Sequence, residues 1–271
     1  MGQRKKKREA FLAAHPLCCF CGGERSATTI DHVPNRASFM FRQGPEGYEF
    51  PACDPCQTAT RLDEIAFSFL VYLTRGDDTH DPEQFRRLLS GIKNNLPELM
   101  PNLRLSANDK RRGLAKLGLE RPRGLPLADL PLAGIPTGYH KRIERYVHKM
   151  MLALYYKMVG QIASKEMRLF GSWTTGQDRR MDEVVASWSE MTPIVEVGRR
   201  SNVNIGDAFR VRTNYSEEMQ AFVAVGQFQR GLIFLGSCLE KDVAERTSPT
   251  GSLDVLRIPG DWAPLSGDIE G

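Results

Sequence analysis

Cys18-Cys19-Phe20-Cys21-Gly22-Gly23 and Cys53-Asp54-Pro55-Cys56 are two Cys-x-x-Cys pairs in one chain of 271 residues, with residues 22–52 between them. Each pair can turn two thiolates toward one ion, and four thiolates complete a closed tetrahedral zinc site. The two-residue spacer and the glycines, which allow a tight knuckle, favour Cys18 over Cys19 as the partner of Cys21. A Cys19-x-Cys21 pairing stays open at this point. The remaining cysteine, Cys238, stands far from both pairs. The N-terminus opens on Arg4-Lys5-Lys6-Lys7-Arg8 with no long apolar run behind it, which predicts no secretory signal and a cytoplasmic location. A reducing compartment in turn favours metal over disulfides.

Between the pairs lies Thr28-Thr29-Ile30-Asp31-His32-Val33-Pro34-Asn35-Arg36. β-favouring residues lead into Asp31-His32, and Pro34 ends the strand. Neighbours on a strand point to opposite faces, so both side chains reach one substrate only where the strand ends or bends. An aspartate suits a hard divalent cation, and an imidazole suits removal of a proton from water near neutral pH. Arg36 and Arg42, on the loop after the histidine, and Arg61 on the following helix are candidates for holding phosphates.

The ordered string Cys18-x-x-Cys21-Gly22, Asp31-His32-Val33-Pro34, Pro51-Ala52-Cys53-x-x-Cys56 resembles the HNH endonucleases of the zinc-stapled ββα-metal type over about residues 16–65. The resemblance implies a structural zinc on Cys18, Cys21, Cys53 and Cys56. It implies His32 as the general base for phosphodiester hydrolysis, and Asp31 as a ligand of a catalytic magnesium or manganese ion. Gln57 stands where the family carries Asn or His, and would be the next metal ligand. The family's middle Asn position is Tyr48, and Asn35 is not at the matching spacing. Asp63 is an alternative carboxylate ligand, as is Glu64; both also read as favourable charge on the early turns of a helix. DNA is the implied substrate, with RNA the second. HNH proteins with an appended half often act in restriction or anti-phage defence.

Outside this module the pattern predicts α+β architecture: a helical middle, then a long helix packed on a small antiparallel sheet. Helices are expected over 62–75, ended by Gly76, over 82–94, over about 107–118, over Tyr139–Glu166 and near 180–190. Pro122, Pro126, Pro131 and Pro136 mark 119–137 as a linker or extended wrap. The runs Ile194–Val197, Ala208–Thr213, Gln220–Gln227 and Gly231–Ser237 read as three or four strands, with Phe209, Phe222, Phe228 and Phe234 in the core. The organisation expected is a basic arm (1–15), the zinc-stapled module (16–80), a connecting region (81–137), a C-terminal α+β unit (138–245) and a loosely ordered tail (246–271).

Composition limits the classes further. Apolar residues are 41% and charged residues 26%, an ordinary globular balance rather than a disordered one. The longest apolar run, near 150–156, is flanked by Lys149 and Lys157, so no segment reads as membrane-spanning. The net charge of +4 equals that of residues 1–15, which hold five Lys/Arg and one Glu. That arm is either a polyanion contact or a solvated tail. A second basic surplus, ten Lys/Arg against four Asp/Glu, lies across residues 101–148. These features leave two function classes. One is a metal-dependent DNA endonuclease whose C-terminal half meets a signal, substrate or protein partner. The other is a zinc-stapled nucleic-acid or protein binding module without hydrolytic activity.

Overall fold

The computed structural model describes residues 2–75, 81–100, 105–116, 120–121, 124–130, 134–175, 194–195, 208–218, 220–229, 231–247 and 257–262. Among these the chain is mixed α+β, with two antiparallel sheets and six α-helices. Helix α1 (Gln3–Ala14) comes first, with no buried residue. The basic arm is therefore helical; the run Glu9-Ala10-Phe11-Leu12-Ala13-Ala14 after the cations consists largely of good helix formers. Arg8 ties it down by donating to the Thr28 carbonyl (2.6 Å).

Strands β1 (Thr29–His32) and β2 (Glu49–Ala52) pair antiparallel, with His32 opposite Glu49 and Thr29 opposite Ala52. The loop between them winds through two 3₁₀ turns, Arg36–Ser38 and Met40–Arg42. Helix α2 (Asp54–Thr74) begins eight residues before the stretch expected from hydrophobic periodicity, with Cys53 as its N-cap and Pro55 in its first turn. Proline costs nothing there, since the first N–H groups have no intrahelical partner. Helix α3 (Pro82–Asn95) is capped by Asp81, whose carboxylate accepts from the backbone of Glu83 and Gln84 (3.0 and 3.1 Å). Helix α4 (Ala107–Lys116) is held to the proline-rich segment by Lys110, which donates to the carbonyls of Ala128 and Leu130 (2.5 and 2.8 Å). Gly76 and the expected helix near 180–190 lie outside the described residues.

Helix α5 spans Gly138–Val159 and stops at Gly160, whose left-handed backbone (φ 74°) donates back to Tyr156. It is shorter than the expected Tyr139–Glu166. Beyond it the chain enters strand β3 (Arg168–Thr175), absent from the sequence reading, which pairs along its length with β7 (Leu232–Leu239). With β4 (Ile194–Val195), β5 (Phe209–Ser216) and β6 (Ala221–Phe228) the sheet has five strands in the order β3-β7-β6-β5-β4. The short helix α6 (Lys241–Thr247) follows β7. Gly171 and Gly236 sit opposite each other on β3 and β7. A Cβ on either would come within 2.9 Å of Val147 or 2.7 Å of Met151, so the pair lets α5 lie close on the sheet.

The consequence matters for the site. Residues 146–155 of α5 are buried without interruption, because α2 covers one side and the sheet the other. The expected single apolar stripe understates this. One hydrophobic cluster runs from Cys18–Cys21 and the hairpin through α2 and α5 to Phe209, Phe222, Phe228 and Phe234. The segments 16–80 and 138–245 thus share a core. The tail is not wholly loose: Arg257 bridges to Leu169, and Trp262 packs against the same core. Part of the basic surplus over 101–148 faces inward, since Lys110, Arg142 and Arg145 are engaged by internal partners. No helix among the described residues is long and apolar enough to cross a membrane.

Candidate functional site

Two clusters draw on the first turns of α2, one buried and one lining an open cavity. The first is made of thiols. The Sγ atoms of Cys18, Cys21, Cys53 and Cys56 all lie within 4.8 Å of one another, and all four side chains are buried. The first pair sits on a knuckle turned by Gly22 and Gly23 (φ 70° and 77°), closed by Gly23 N–H donating to the Cys18 carbonyl (3.2 Å). The second pair is the N-cap and first turn of α2. Cys19 is buried but stands outside the group, so the knuckle offers Cys18 and Cys21.

Phe20 N–H donates to Cys18 (3.4 Å) and Trp262 Nε1–H to Cys56 (3.3 Å), and the exposed Arg25 guanidinium meets Cys53. The two knuckle thiols, Cys18 and Cys21, resist ionising unaided. Hydrogen bonding to Cys56 and burial push the Cys18 thiol far up, while burial and then the Cys18 charge push Cys21 up to about 11. A divalent ion at the centre supplies the positive charge that reverses this. Zinc–sulfur bonds of ~2.3 Å in a tetrahedron suit a set this compact and this soft. These cysteines can hold a zinc ion.

The second cluster lines a cavity of about 440 Å³. Asp31 and His32 enter from the end of β1, and Arg36 and Arg42 from the two 3₁₀ turns. Gln57, Arg61 and Glu64 enter from one face of α2, at spacings of four and three, and Arg87 from α3. Every residue chosen from sequence as base, substrate contact or catalytic ligand is present here except Asp63. Both neighbours Asp31 and His32 reach the cavity because they close the strand. Asp31 is buried (5% exposed), whereas the His32 side chain is about a third exposed. His32 Nδ1 lies 3.9 Å from Glu49 Oε1 across the hairpin, and Arg36 lies 3.7 Å from the same oxygen. Asn35 clamps the loop to α2, donating to the Glu64 carbonyl (3.0 Å) and to Ser68 Oγ (2.8 Å). Tyr48 is withdrawn into the core, edge-on to Phe50 and Phe209.

Asp63 faces the other way, toward α5. Arg145 holds it at both oxygens (Nε–Oδ2 2.6 Å, Nη2–Oδ1 2.7 Å), and Arg142 adds a contact at 3.3 Å. Burial pushes its carboxyl up, and the two guanidinium groups oppose that. Asp63 is thereby engaged away from the cavity.

The residue that sequence reasoning missed is Lys149. Its Nζ is wholly buried and lies 2.6 Å from Asp31 Oδ2 and 2.6 Å from Glu64 Oε1. It also donates to Thr60 Oγ1 (2.8 Å). The Asp31 contact is a close ion pair off the hydrogen-bond angle. Burial pulls the ammonium's pKa down, but the carboxylates of Asp31 and Glu64 outweigh it and hold it above the usual lysine value. Glu64 is pushed up to about 7, chiefly by burial, with Lys149 opposing and Asp31 adding repulsion.

This arrangement does not fit the divalent ion expected at Asp31 and Gln57. Magnesium requires oxygen contacts of ~2.0–2.1 Å in a near-octahedral shell, and an ammonium already sits against Asp31 as a like charge. Among the described residues the cysteine cluster is the one group of three or more His, Cys, Asp or Glu side chains whose ligand atoms converge. What the cavity offers instead is an imidazole beside a carboxylate, with four arginines around it, a chemistry suited to an anionic ester. No family model, curated protein or solved structure matches the chain.

Proposed function

We propose that this chain is an endonuclease of the HNH type that hydrolyses phosphodiester bonds in DNA, with His32 as the general base. The observation that carries the reading is the convergence of Asp31, His32, Gln57, Arg36, Arg42 and Arg61 on one cavity beside a four-cysteine cluster. In this reading zinc on Cys18, Cys21, Cys53 and Cys56 staples the hairpin to α2 and takes no part in the reaction. His32 takes a proton from water, and the hydroxide so formed attacks phosphorus. The bond to the departing sugar oxygen breaks, and that oxygen is protonated from solvent. Glu49 orients the imidazole and stabilises its protonated form, as a carboxylate partner does for a catalytic histidine. Arg36, Arg42, Arg61 and Arg87 neutralise the phosphate as charge builds on it. RNA presents the same ester and is the second substrate to be tried.

The test is digestion of plasmid DNA by wild type and by His32→Ala. The variant is expected to lose at least ~100-fold in rate, since a positioned base contributes 10²–10⁴. Zinc content and DNA affinity stay unchanged, because His32 belongs to neither the thiol cluster nor the arginine set. Equal cleavage by both proteins refutes the assignment of His32. A second reading, a zinc-stapled binding module, is favoured by Tyr48, whose ring fills core where the resemblance calls for an asparagine. DNA binding without cleavage by the wild type decides for that reading.

A further inference from the structure

We propose that Lys149 is the resident cation of the Asp31–Glu64 site: the chain itself supplies, as a fixed ammonium, the positive charge that the resemblance assigns to a divalent ion, and the cavity works without one. The inference rests on the proposed hydrolytic reading for its activity consequence, but its charge arrangement is testable alone.

Three observations carry it. Three oxygens surround the ammonium at 2.6–2.8 Å: it donates to Glu64 Oε1 and Thr60 Oγ1 and forms a close ion pair with Asp31 Oδ2. The nitrogen is also fixed in place, being 0% exposed, carried on a fully buried stretch of α5 and 5.2 Å above the Phe20 ring. It cannot swing into solvent to admit another cation without opening the α2–α5 contact. The third observation is the charge balance. With both carboxylates ionised, as Glu64 is above about pH 7, the ammonium leaves the cluster at −1, where the same carboxylates with a divalent ion would be neutral. The cavity on the other side of Asp31 and Glu64 is lined by Arg36, Arg42, Arg61 and Arg87, so the deficit is met by guanidinium groups that face the substrate. Burying three charges is costlier than burying apolar groups of the same size, so stability alone does not account for the cluster. Lys149 does not itself line the cavity; it is a positioning residue that holds Asp31 and Glu64 from behind.

The experiment titrates zinc-loaded protein with Mn²⁺, followed by electron paramagnetic resonance of the free ion. Wild type and Asp31→Asn are expected to bind equally little at millimolar Mn²⁺. Lys149→Met should gain a site, and the double variant Lys149→Met/Asp31→Asn should lose it again. Mn²⁺ binding by wild type that Asp31→Asn abolishes overturns the proposal, and this comparison stands even if Lys149→Met does not fold. A folded Lys149→Met that gains no site overturns it as well. In parallel, wild-type cleavage is measured in chelator and in excess Mg²⁺, with zinc content checked. No loss on chelation is expected; a loss of about 100-fold, the usual cost of removing one electrostatic stabiliser, overturns the proposal. Cleavage in neither condition refutes the endonuclease reading, while the Mn²⁺ titration still decides the role of Lys149.

Discussion

The thiol cluster and the carboxylate cluster are packed against the same turns of α2, yet they handle buried charge in opposite ways. Cys18, Cys21, Cys53 and Cys56 converge with no buried cationic side chain among them, the exposed Arg25 guanidinium meeting Cys53 from outside, so the buried set is complete only with an ion. Asp31, Asp63 and Glu64 are met by Lys149, Arg142 and Arg145, all from α5. A set of ligands without a buried counter-charge calls for a metal. A set whose counter-charges come from the next helix is already neutralised, and the same residue types then mean something else.

The largest test of that contrast removes a thiol. Cys53→Ser should lose zinc and unfold the N-terminal region, because structural zinc supplies roughly 10 kcal/mol or more to metal-built modules. Elemental analysis and near-ultraviolet circular dichroism report the two effects. Folding unaltered in a zinc-free Cys53→Ser protein would mean that the cluster is held by the shared core instead. On the other side, Arg145→Ala leaves Asp63 buried with Arg142 alone. Breaking a buried pair costs 3–5 kcal/mol, and with Arg142 remaining about 3 kcal/mol is expected from urea unfolding. A cost below about 1 kcal/mol, the range of exposed pairs, would show that this cluster is not tightly held.

The two clusters were not equally legible in the amino-acid sequence. Cys-x-x-Cys spacing is local, and so is the Asp31-His32 pair on a strand that ends, which is why the cavity's wall from β1, the loop and α2 could be named. Lys149 lies on a helix far along the chain, and its contacts depend on how α5 meets α2. Its one local sign is its setting, a lysine between His148 and Met150-Met151 in a stretch apolar on every side. A lysine buried all round needs a partner, but nothing local says which. Glu49 was hidden for a related reason, since only the hairpin register sets it opposite His32. Strand β3 shows no apolar alternation, since its buried positions are Leu169, Gly171 and Thr174, and Trp262 stands among proline- and glycine-rich neighbours.

His148, one residue before Lys149, sharpens the comparison, for it is buried with no counter-charge and stays neutral. Burial, and then the Arg257 charge, lower its pKa to about 3, and its Nδ1 has no hydrogen-bond partner. The unfolded chain binds this proton near the ordinary value of ~6.5, so the folded state holds fewer protons in between. Stability is therefore full above about pH 6.5 and falls as pH drops toward about 3. Between about pH 7.5 and pH 5 the loss amounts to about 2 kcal/mol. His148→Leu should abolish that part of the pH dependence. Urea midpoints for the two zinc-loaded proteins, compared at both pH values, report it, because contributions from other groups cancel in the difference. Parallel pH dependence in the two proteins would show that His148 is not buried neutral.

The smallest expected effect concerns a hydrogen bond between the tail and the thiols. Trp262 donates its indole N–H to Cys56 Sγ at 3.3 Å, and its carbonyl accepts from Arg145 at 3.0 Å, so a single residue touches both clusters. Trp262→Phe keeps the backbone link to Arg145 and most of the packing, and removes only the N–H. Donors to a metal-bound sulfur stabilise its negative charge, and losing such a partner costs 10–100-fold in metal affinity. Since Phe20 still donates to Cys18, the low end is expected, about tenfold or 1.4 kcal/mol. Competition with a chromophoric chelator measures it. Cleavage by zinc-saturated Trp262→Phe should equal that of wild type, because the indole lies on the thiol side of α2 and does not line the cavity. An unchanged zinc affinity would reduce Trp262 to a packing residue, and a change in cleavage at full zinc occupancy would mean that the two clusters are coupled through Arg145 and Asp63 rather than merely adjacent.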